Sequence, residues 1–218
     1  MKKTAIITAM REEADHIITN YGLTLKAQLK NLFIYENENI VLALAGIGKV
    51  QAAIGATYLF QNYSFEKLVN IGIAGSLMGK NASIGDVFLV QKIAQHDMYL
   101  PFDGAHLDYA KKAIEFGKNY SLNASFDFKV FENAFCLTGD QFIDDAQKVE
   151  MLAKEYQAHV IEMEAFAIAS VAREFDAWDK FICIKAISDG ADNEAKDAHM
   201  GNLDFAMQNS LLVLERII

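Results

Sequence analysis

Three places in the sequence set acidic side chains at or just after the end of an apolar run, where they could act on a small molecule. Glu12 and Glu13 follow TAIITAM, Glu162 and Glu164 end AHVIEME, and Asp189 follows FICIKAIS. In open α/β sheets the ligand crevice lies beyond the carboxyl ends of the strands, so these acids can meet there. Any one of them is explained as well by helix capping. Three together favour a site with general acid and base groups.

The segment VIEMEAF predicts a binding surface as well as a charge. If it is a strand, Glu162 and Glu164 point to one face and Met163 to the other. A carboxylate accepts two neighbouring hydrogen bonds, which the vicinal hydroxyls of a ribose can donate, and a methionine packs against a flat ring. The alternative is a strand end that emerges into solvent.

Other motifs argue against cofactors and metals. GIGKV begins like a dinucleotide-binding turn, but Gln51 stands where the third glycine belongs, and Glu66 precedes its strand instead of ending one. GIAGS is read as a glycine turn at a strand end, suited to ligand approach or simply a turn. His96 and Asp97 have no further ligand at metal spacing, and there is no GxSxG nucleophile motif. We therefore predict neither a metal site nor a cofactor.

The elements that position these residues alternate in the manner of an α/β sheet with helices on both faces. The apolar pattern predicts strands at 4–10, 31–36, 39–45, 68–75, 86–95, 128–137, 158–164 and 181–188, with a hairpin at 31–45. It predicts helices at 11–20, 49–61, 106–118, 146–156, 165–175 and 202–216.

Composition narrows the class of protein further. The chain has 218 residues, 52% of them hydrophobic, and a single proline, so no linker divides it and one domain is expected. Its 29 acidic against 20 basic residues argue against a nucleic-acid or membrane partner. Its first apolar run is short for a signal peptide, no apolar stretch is long enough to span a bilayer, and the two cysteines lie in apolar runs. These features predict a cytoplasmic protein that acts on a small molecule.

Six ordered blocks resemble the methylthioadenosine and S-adenosylhomocysteine nucleosidases of the purine nucleoside phosphorylase superfamily. The blocks are AMREE, GIGKV, GIAGSL, GDQFI, EMEA and ISDGAD, and they extend over nearly the whole chain. The resemblance implies one nucleosidase domain over residues 1–218, with a three-layer αβα sandwich around a central mixed β-sheet. It also implies a nucleoside substrate and a homodimer.

The same resemblance implies a role for each matched position. Glu13 would activate the attacking water, Asp189 would protonate the departing adenine, and Glu164 would hold the ribose hydroxyls. The remaining residues implied at the substrate site are Met10, Ile47, Phe142, Ile143, Glu162, Met163, Lys185 and Ser188. Phe142 would stack on the base, and the backbone of Ile143 would read the adenine edge.

Two features depart from the family pattern. Lys185 stands where the family often has arginine. A guanidinium group, which can bind a carboxylate through two parallel N–H groups, is thus replaced by a single ammonium group. The segment from Asp97 to His106 is shorter than the family loop that closes the 5′ pocket, although Met98, Leu100 and Phe102 could serve there. A further pocket residue is expected near 198–203, without an assigned position.

Two other functions remain open at this point. A phosphorylase of the same fold would use phosphate, but the carboxylates of AMREE would repel an incoming dianion. A binding module could keep the fold without the chemistry. Four substrates fit the resemblance equally: methylthioadenosine, S-adenosylhomocysteine, 5′-deoxyadenosine and 6-amino-6-deoxyfutalosine.

Overall fold

The computed structural model describes residues 3–102, 104–116, 122, 124–191 and 195–218. Within them the strands are β1 (Lys3–Thr8), β2 (Thr24–Gln28), β3 (Phe33–Glu36), β4 (Ile40–Leu44), β5 (Phe65–Ser76), β6 (Val87–Gln95), β7 (Ile114–Glu115), β8 (Val130–Thr138), β9 (Val160–Glu162) and β10 (Phe181–Asp189). The α-helices are α1 (Arg11–Tyr21), α2 (Lys49–Asn62), α3 (Ala105–Lys111), α4 (Ala146–Tyr156), α5 (Ala165–Glu174) and α6 (Ala195–Leu214).

All ten strands belong to one mixed sheet whose middle closes on itself. β1 lies parallel to β4 and β5, and β3 and β2 extend the β4 side antiparallel. On the other side β5 pairs with both β10 and β9, and β6 and β8 connect those two strands. The five strands β5, β10, β6, β8 and β9 therefore form a ring, which brings the end of β9 close to the ends of β5 and β10.

Helices cover both faces of the sheet, which confirms the predicted three-layer αβα arrangement. On one face α2 and α5 bury small and aliphatic residues such as Ala56 and Ile168. On the other face α1 and α6 bury Ile17 and Met207. The helix α2 approaches the sheet closely because the residues in contact are small. A Cβ atom on Gly55 of α2 would lie only 2.7 Å from the Cβ of Ala45.

The prediction of elements is wrong at four places. β2 was missed, because TLKAQ is mostly exposed and has no apolar face. The helix predicted at 106–118 ends at Lys111, and Ile114–Glu115 forms β7 instead; its predicted end at 117–118 lies outside the described residues. The strand predicted at 158–164 is only β9, and α6 begins seven residues earlier than predicted.

The described part of the chain contains no helix with both the length and the apolar character needed to cross a bilayer.

Candidate active site

A pocket lies where β1, β5, β9 and β10 end. Nine of the eleven residues predicted for the site line it: Met10, Glu13, Ile47, Phe142, Ile143, Glu162, Met163, Glu164 and Asp189. Lys185 and Ser188 are buried behind this lining. Met98, Leu100 and Phe102, the residues suggested for the 5′ side, are absent from the lining.

Glu13 stands in the first turn of α1, and its carboxylate turns back toward the end of β1. Its Oε2 accepts hydrogen bonds from the Thr8 hydroxyl at 2.6 Å and from the N–H groups of Ala9 and Met10 at 3.1 and 3.0 Å. Its Oε1 accepts one from the N–H of Ile73 at 3.0 Å. Since each carboxylate oxygen has two lone pairs, Oε1 retains capacity for a molecule in the pocket.

Two glycines of β5 make room for the catalytic candidates. A Cβ atom on Gly72 would lie 2.6 Å from Oε1 of Glu13, and one on Gly75 would lie 3.0 Å from Oδ1 of Asp189. GIAGS is part of β5 rather than a turn, and its two glycines leave room for the two carboxylates.

Asp189 ends β10 and is held on both oxygens. The Ser188 hydroxyl donates to Oδ2 at 2.7 Å, and the N–H of Ala191 donates to Oδ1 at 2.8 Å. Both Ser188 and Asp189 are buried. Ser188 therefore orients the acid from behind the pocket lining.

The end of β9 differs from the prediction, and this changes the relation of its two acids. Glu164 is the N-cap of α5, with φ −129° and ψ −37°. The prediction that Glu162 and Glu164 share one face of a strand is therefore wrong, because the chain turns into α5 directly after β9. The Glu162 carboxylate accepts the N–H groups of Glu164 at 3.0 Å and of Ala165 at 2.9 Å. It thereby satisfies the open first turn of the helix.

Lys185 neutralises Glu162 inside the protein. The Lys185 Nζ lies 2.8 Å from Glu162 Oε2, and the two side chains are 2% and 3% exposed. The Thr138 hydroxyl donates a further hydrogen bond to Glu162. Burial raises the pKa of Glu162, but the charge of Lys185 and these hydrogen bonds outweigh it, so the pKa lies below its usual value. Burial lowers the pKa of Lys185, and the charge of Glu162 more than reverses this. Both groups therefore stay charged.

Glu164 has a different environment, although it is only two residues away. Its Oε1 accepts the N–H of Gly48 at 2.8 Å, which ties the GIGKV turn to the pocket. Burial raises the pKa of Glu164 to about 8, and the negative charge of Glu162 adds to this effect. The carboxyl of the free protein therefore holds its proton to a higher pH than an exposed glutamate does, and a ligand that donates hydrogen bonds to it would favour the ionised form.

The loop after β8 carries Phe142 and Ile143, and charged residues fasten it. Asp140 Oδ1 accepts the N–H of Lys49 at 2.7 Å, and the N–H of Asp140 donates to Asp97 Oδ2 at 2.8 Å. The Lys49 Nζ lies 2.6 Å from Asp97 Oδ1. Burial raises the pKa of Asp97, but the hydrogen bond and charge of Lys49 bring it below the usual value. Asp97 therefore serves as a structural anion that links the loop to α2.

Sequence reasoning missed Thr8 and His199 as residues of the site, and it singled out Gly72 only as part of a GIAGS turn. His199 lines the pocket and meets Phe142 edge to face, with ring centroids 5.3 Å apart. It lies in the segment where a further pocket residue was expected without an assigned position, and the early start of α6 brings it there. His199 could have been singled out from the sequence, because histidine is a residue type that takes part in chemistry. Thr8 gave no signal, and nothing in the sequence marked Gly72 as a neighbour of Glu13, because both contacts depend on how β1, α1 and β5 pack.

Comparison with known proteins places the chain in a family. The phosphorylase superfamily model matches residues 3–218. The aminodeoxyfutalosine nucleosidase of Helicobacter pylori is 29% identical over 230 residues, covering 100% of this chain and 98% of that protein. The 5′-methylthioadenosine/S-adenosylhomocysteine nucleosidase of Buchnera aphidicola is 30% identical over 231 residues, covering 99% and 89%.

A solved structure agrees over the same length. The 5′-methylthioadenosine/S-adenosylhomocysteine nucleosidase of Neisseria meningitidis, in complex with methylthio-immucillin-A, superposes with a TM-score of 0.82 at 27% identity. The match covers 100% of this chain and 98% of that one. The resemblance found in the six sequence blocks is thus confirmed, and the chain belongs to the phosphorylase superfamily and, within it, to the 5′-methylthioadenosine/S-adenosylhomocysteine nucleosidase family.

Proposed function

We propose that this protein is a nucleosidase that hydrolyses the N-glycosidic bond of adenine nucleosides carrying a modified 5′ group. The observation that carries this proposal is the pair Glu13 and Asp189, two buried carboxyl groups that line one pocket. One of them can activate a water as general base while the other protonates the leaving group as general acid.

Glu13 and Asp189 take complementary roles in this reaction. The water attacks the anomeric carbon while the free lone pair of Glu13 Oε1 accepts its proton. The glycosidic bond breaks, and its electrons go to the adenine, which takes a proton from Asp189. A positioned general acid or base contributes typically 10²- to 10⁴-fold. Carboxylates beside the sugar also stabilise the positive charge that develops on it.

The other lining residues divide into a sugar side and a base side. We assign the ribose hydroxyls to Glu164, with Met163 against the sugar face and Met10 and Ile47 toward the 5′ group. We assign the adenine to Phe142, which is 44% exposed and free to stack, and to the backbone of Ile143. Glu162 and Ser188 hold Glu164 and Asp189 in place, and Lys185 holds Glu162 from behind the lining.

Water is a better nucleophile for this pocket than phosphate. None of its described lining residues is a lysine or arginine. A phosphate dianion would therefore enter beside the Glu13 carboxylate without a lysine or arginine to bind it. Lys185 cannot take this role, since its charge is taken by Glu162.

We further propose that the whole chain acts as one domain and forms a homodimer. An apolar stripe extends from the pocket mouth along α2, where Ile47, Val50 and Ile54 are 55%, 67% and 49% exposed. Exposed apolar residues at this spacing suit burial against a partner. The 5′ side of the pocket would then be completed there. Both cysteines are buried and free, which suits a reducing compartment, so we propose a cytoplasmic location.

A substrate panel tests the proposed activity. Methylthioadenosine, S-adenosylhomocysteine, 5′-deoxyadenosine and 6-amino-6-deoxyfutalosine are offered at matched concentration, and the release of free base is followed with and without phosphate. We expect release from at least one of them without phosphate, and a loss of at least ~10²-fold in Glu13→Gln and Asp189→Asn.

The substrate panel has a control variant, and each result that would contradict the proposed activity points to a different alternative. Glu174→Gln removes an exposed acid of α5 and should match the wild type. A strict requirement for phosphate would show a phosphorylase instead. Flat, low activity on all four nucleosides would show a binding module, and full rates in both variants would refute the roles given to Glu13 and Asp189.

A further inference from the structure

The pocket contains one side chain that the proposed mechanism does not use and that can carry a positive charge. His199 is the single lining residue of this kind in the described part of the chain. Its Nδ1 lies 3.3 Å from Asp189 Oδ2 and 3.4 Å from the Ser188 hydroxyl. The His199 side chain is 19% exposed, whereas that of Asp189 is 3% exposed. The imidazole therefore lies between solvent and the buried acid.

We infer that His199 is a positioning residue that returns a proton to Asp189 after each turnover. This inference rests on the proposed role of Asp189 as the general acid. When Asp189 has given its proton to the leaving base, it is a buried carboxylate that must be protonated again. The N–H bond at His199 Nδ1 breaks, the O–H bond at Asp189 Oδ2 forms, and the imidazole takes up a proton from solvent. Glu13 releases the proton of the attacking water, so the protons balance.

The position of His199 is fixed by contacts on two sides. One turn further along α6, the Asn202 side chain donates to the Ser188 carbonyl at 2.9 Å, which fastens the helix to β10. On the other side the ring meets Phe142 edge to face. Nδ1 is thereby kept on the Asp189 and Ser188 side. Since a histidine exchanges protons at either ring nitrogen, this placement suits a relay.

The charged groups around His199 come from several elements. Asp189 faces it from β10, and Glu13, Glu162 and Glu164 line the same cavity from α1, β9 and the start of α5. On α6 itself, Lys196 precedes it by three residues and is exposed. The pocket is therefore rich in carboxylates, and His199 gives a solvent proton a defined route to one of them.

The pH profile of turnover tests this inference with His199→Ala and His199→Gln. At low pH, hydronium is abundant enough to return the proton without a relay, so both variants should stay within about threefold of the wild type. At pH 8 we expect kcat to fall at least ~tenfold, the lower part of the range for proton-transfer catalysis. Added imidazole should restore turnover in His199→Ala at pH 8, and it should fail to do so once Asp189→Asn is introduced as well.

A matched control is available in the same chain. His16 lies 2.8 Å from Asp204 outside the pocket, so His16→Ala removes a comparable contact and should leave the pH profile unchanged. The glutamine variant retains a side chain that can hydrogen-bond to Asp189 but cannot carry a proton, so it separates proton transfer from packing. Profiles of both His199 variants that parallel the wild type, without rescue by imidazole, would overturn the relay while leaving the nucleosidase intact. A wild-type protein that releases no base would overturn the relay and the proposed function together.

Discussion

Replacing Lys185 by methionine should destabilise the protein by roughly 3 kcal/mol. Removal of one partner of a buried ion pair typically costs 3–5 kcal/mol, because the remaining charge stays buried without compensation. The lower end applies here, since Glu162 keeps hydrogen bonds from the Thr138 hydroxyl and from the N–H groups of Glu164 and Ala165. The second substitution Glu162→Gln removes the stranded charge, so the double variant should recover at least ~1–2 kcal/mol.

Urea unfolding at pH 7 measures these differences. Lys92→Met is the matched control, because Lys92 is 41% exposed, its partner Glu115 is 70% exposed, and such surface pairs contribute about 0–1 kcal/mol. The Lys185 variant should also bind ribose-containing ligands more weakly, since Glu162 holds the N–H of Glu164. A Lys185→Met protein within ~1 kcal/mol of the wild type, or a double variant that is no better than the single one, would refute the assignment of a charged pair.

Gly72→Ala should lower kcat at least ~tenfold, because the new Cβ atom would lie 2.6 Å from Glu13 Oε1 and displace that carboxylate. Gly201→Ala is the control and should match the wild type, because its Cβ atom would have no neighbour within 4 Å. A Gly72→Ala protein as fast as the wild type would contradict this prediction. Calorimetry with Asp189→Asn protein should show affinity for methylthioadenosine rising with pH toward about 8, where Glu164 ionises, while adenine, which lacks the ribose, shows no such rise. Because the pKa of Glu164 is raised in the folded protein, the free energy of unfolding of the wild type should decrease as the pH rises from 4.5 to 8, by no more than roughly 5 kcal/mol. That of Glu164→Gln should lack this decrease. Melting temperatures of the two proteins that change with pH in the same way would contradict the prediction.

Much of the fold follows from local pattern. The long apolar runs of β5, β6 and β10 and the amphipathic α1 and α4 have the periodicity of their elements, and a three-layer arrangement follows from their alternation. The closed ring does not follow from it, because the pairings of β5 with both β9 and β10 depend on contacts distant in sequence. The exposed β2 gives no apolar signal either.

The acids of the pocket were predictable from local pattern, whereas the contacts that connect them were not. Glu13 and Asp189 are marked by their places after apolar runs, and both line the pocket. The relation of Glu162 to Glu164 was misjudged, because strand periodicity was extended through a residue that caps a helix. The ion pair of Lys185 with Glu162 joins β10 to β9 and has no local signature.

The most direct test of the account is the fate of the attacking oxygen. Methylthioadenosine is cleaved in ¹⁸O-labelled water with phosphate present, and the sugar is trapped at once by borohydride, which retains the oxygen on its anomeric carbon. If Glu13 activates water and Asp189 protonates the base, the trapped sugar carries one ¹⁸O and no phosphate, and both Glu13→Gln and Asp189→Asn form it at least ~10²-fold more slowly. A phosphorylated sugar, or labelled sugar formed at full rate by either variant, would contradict that mechanism.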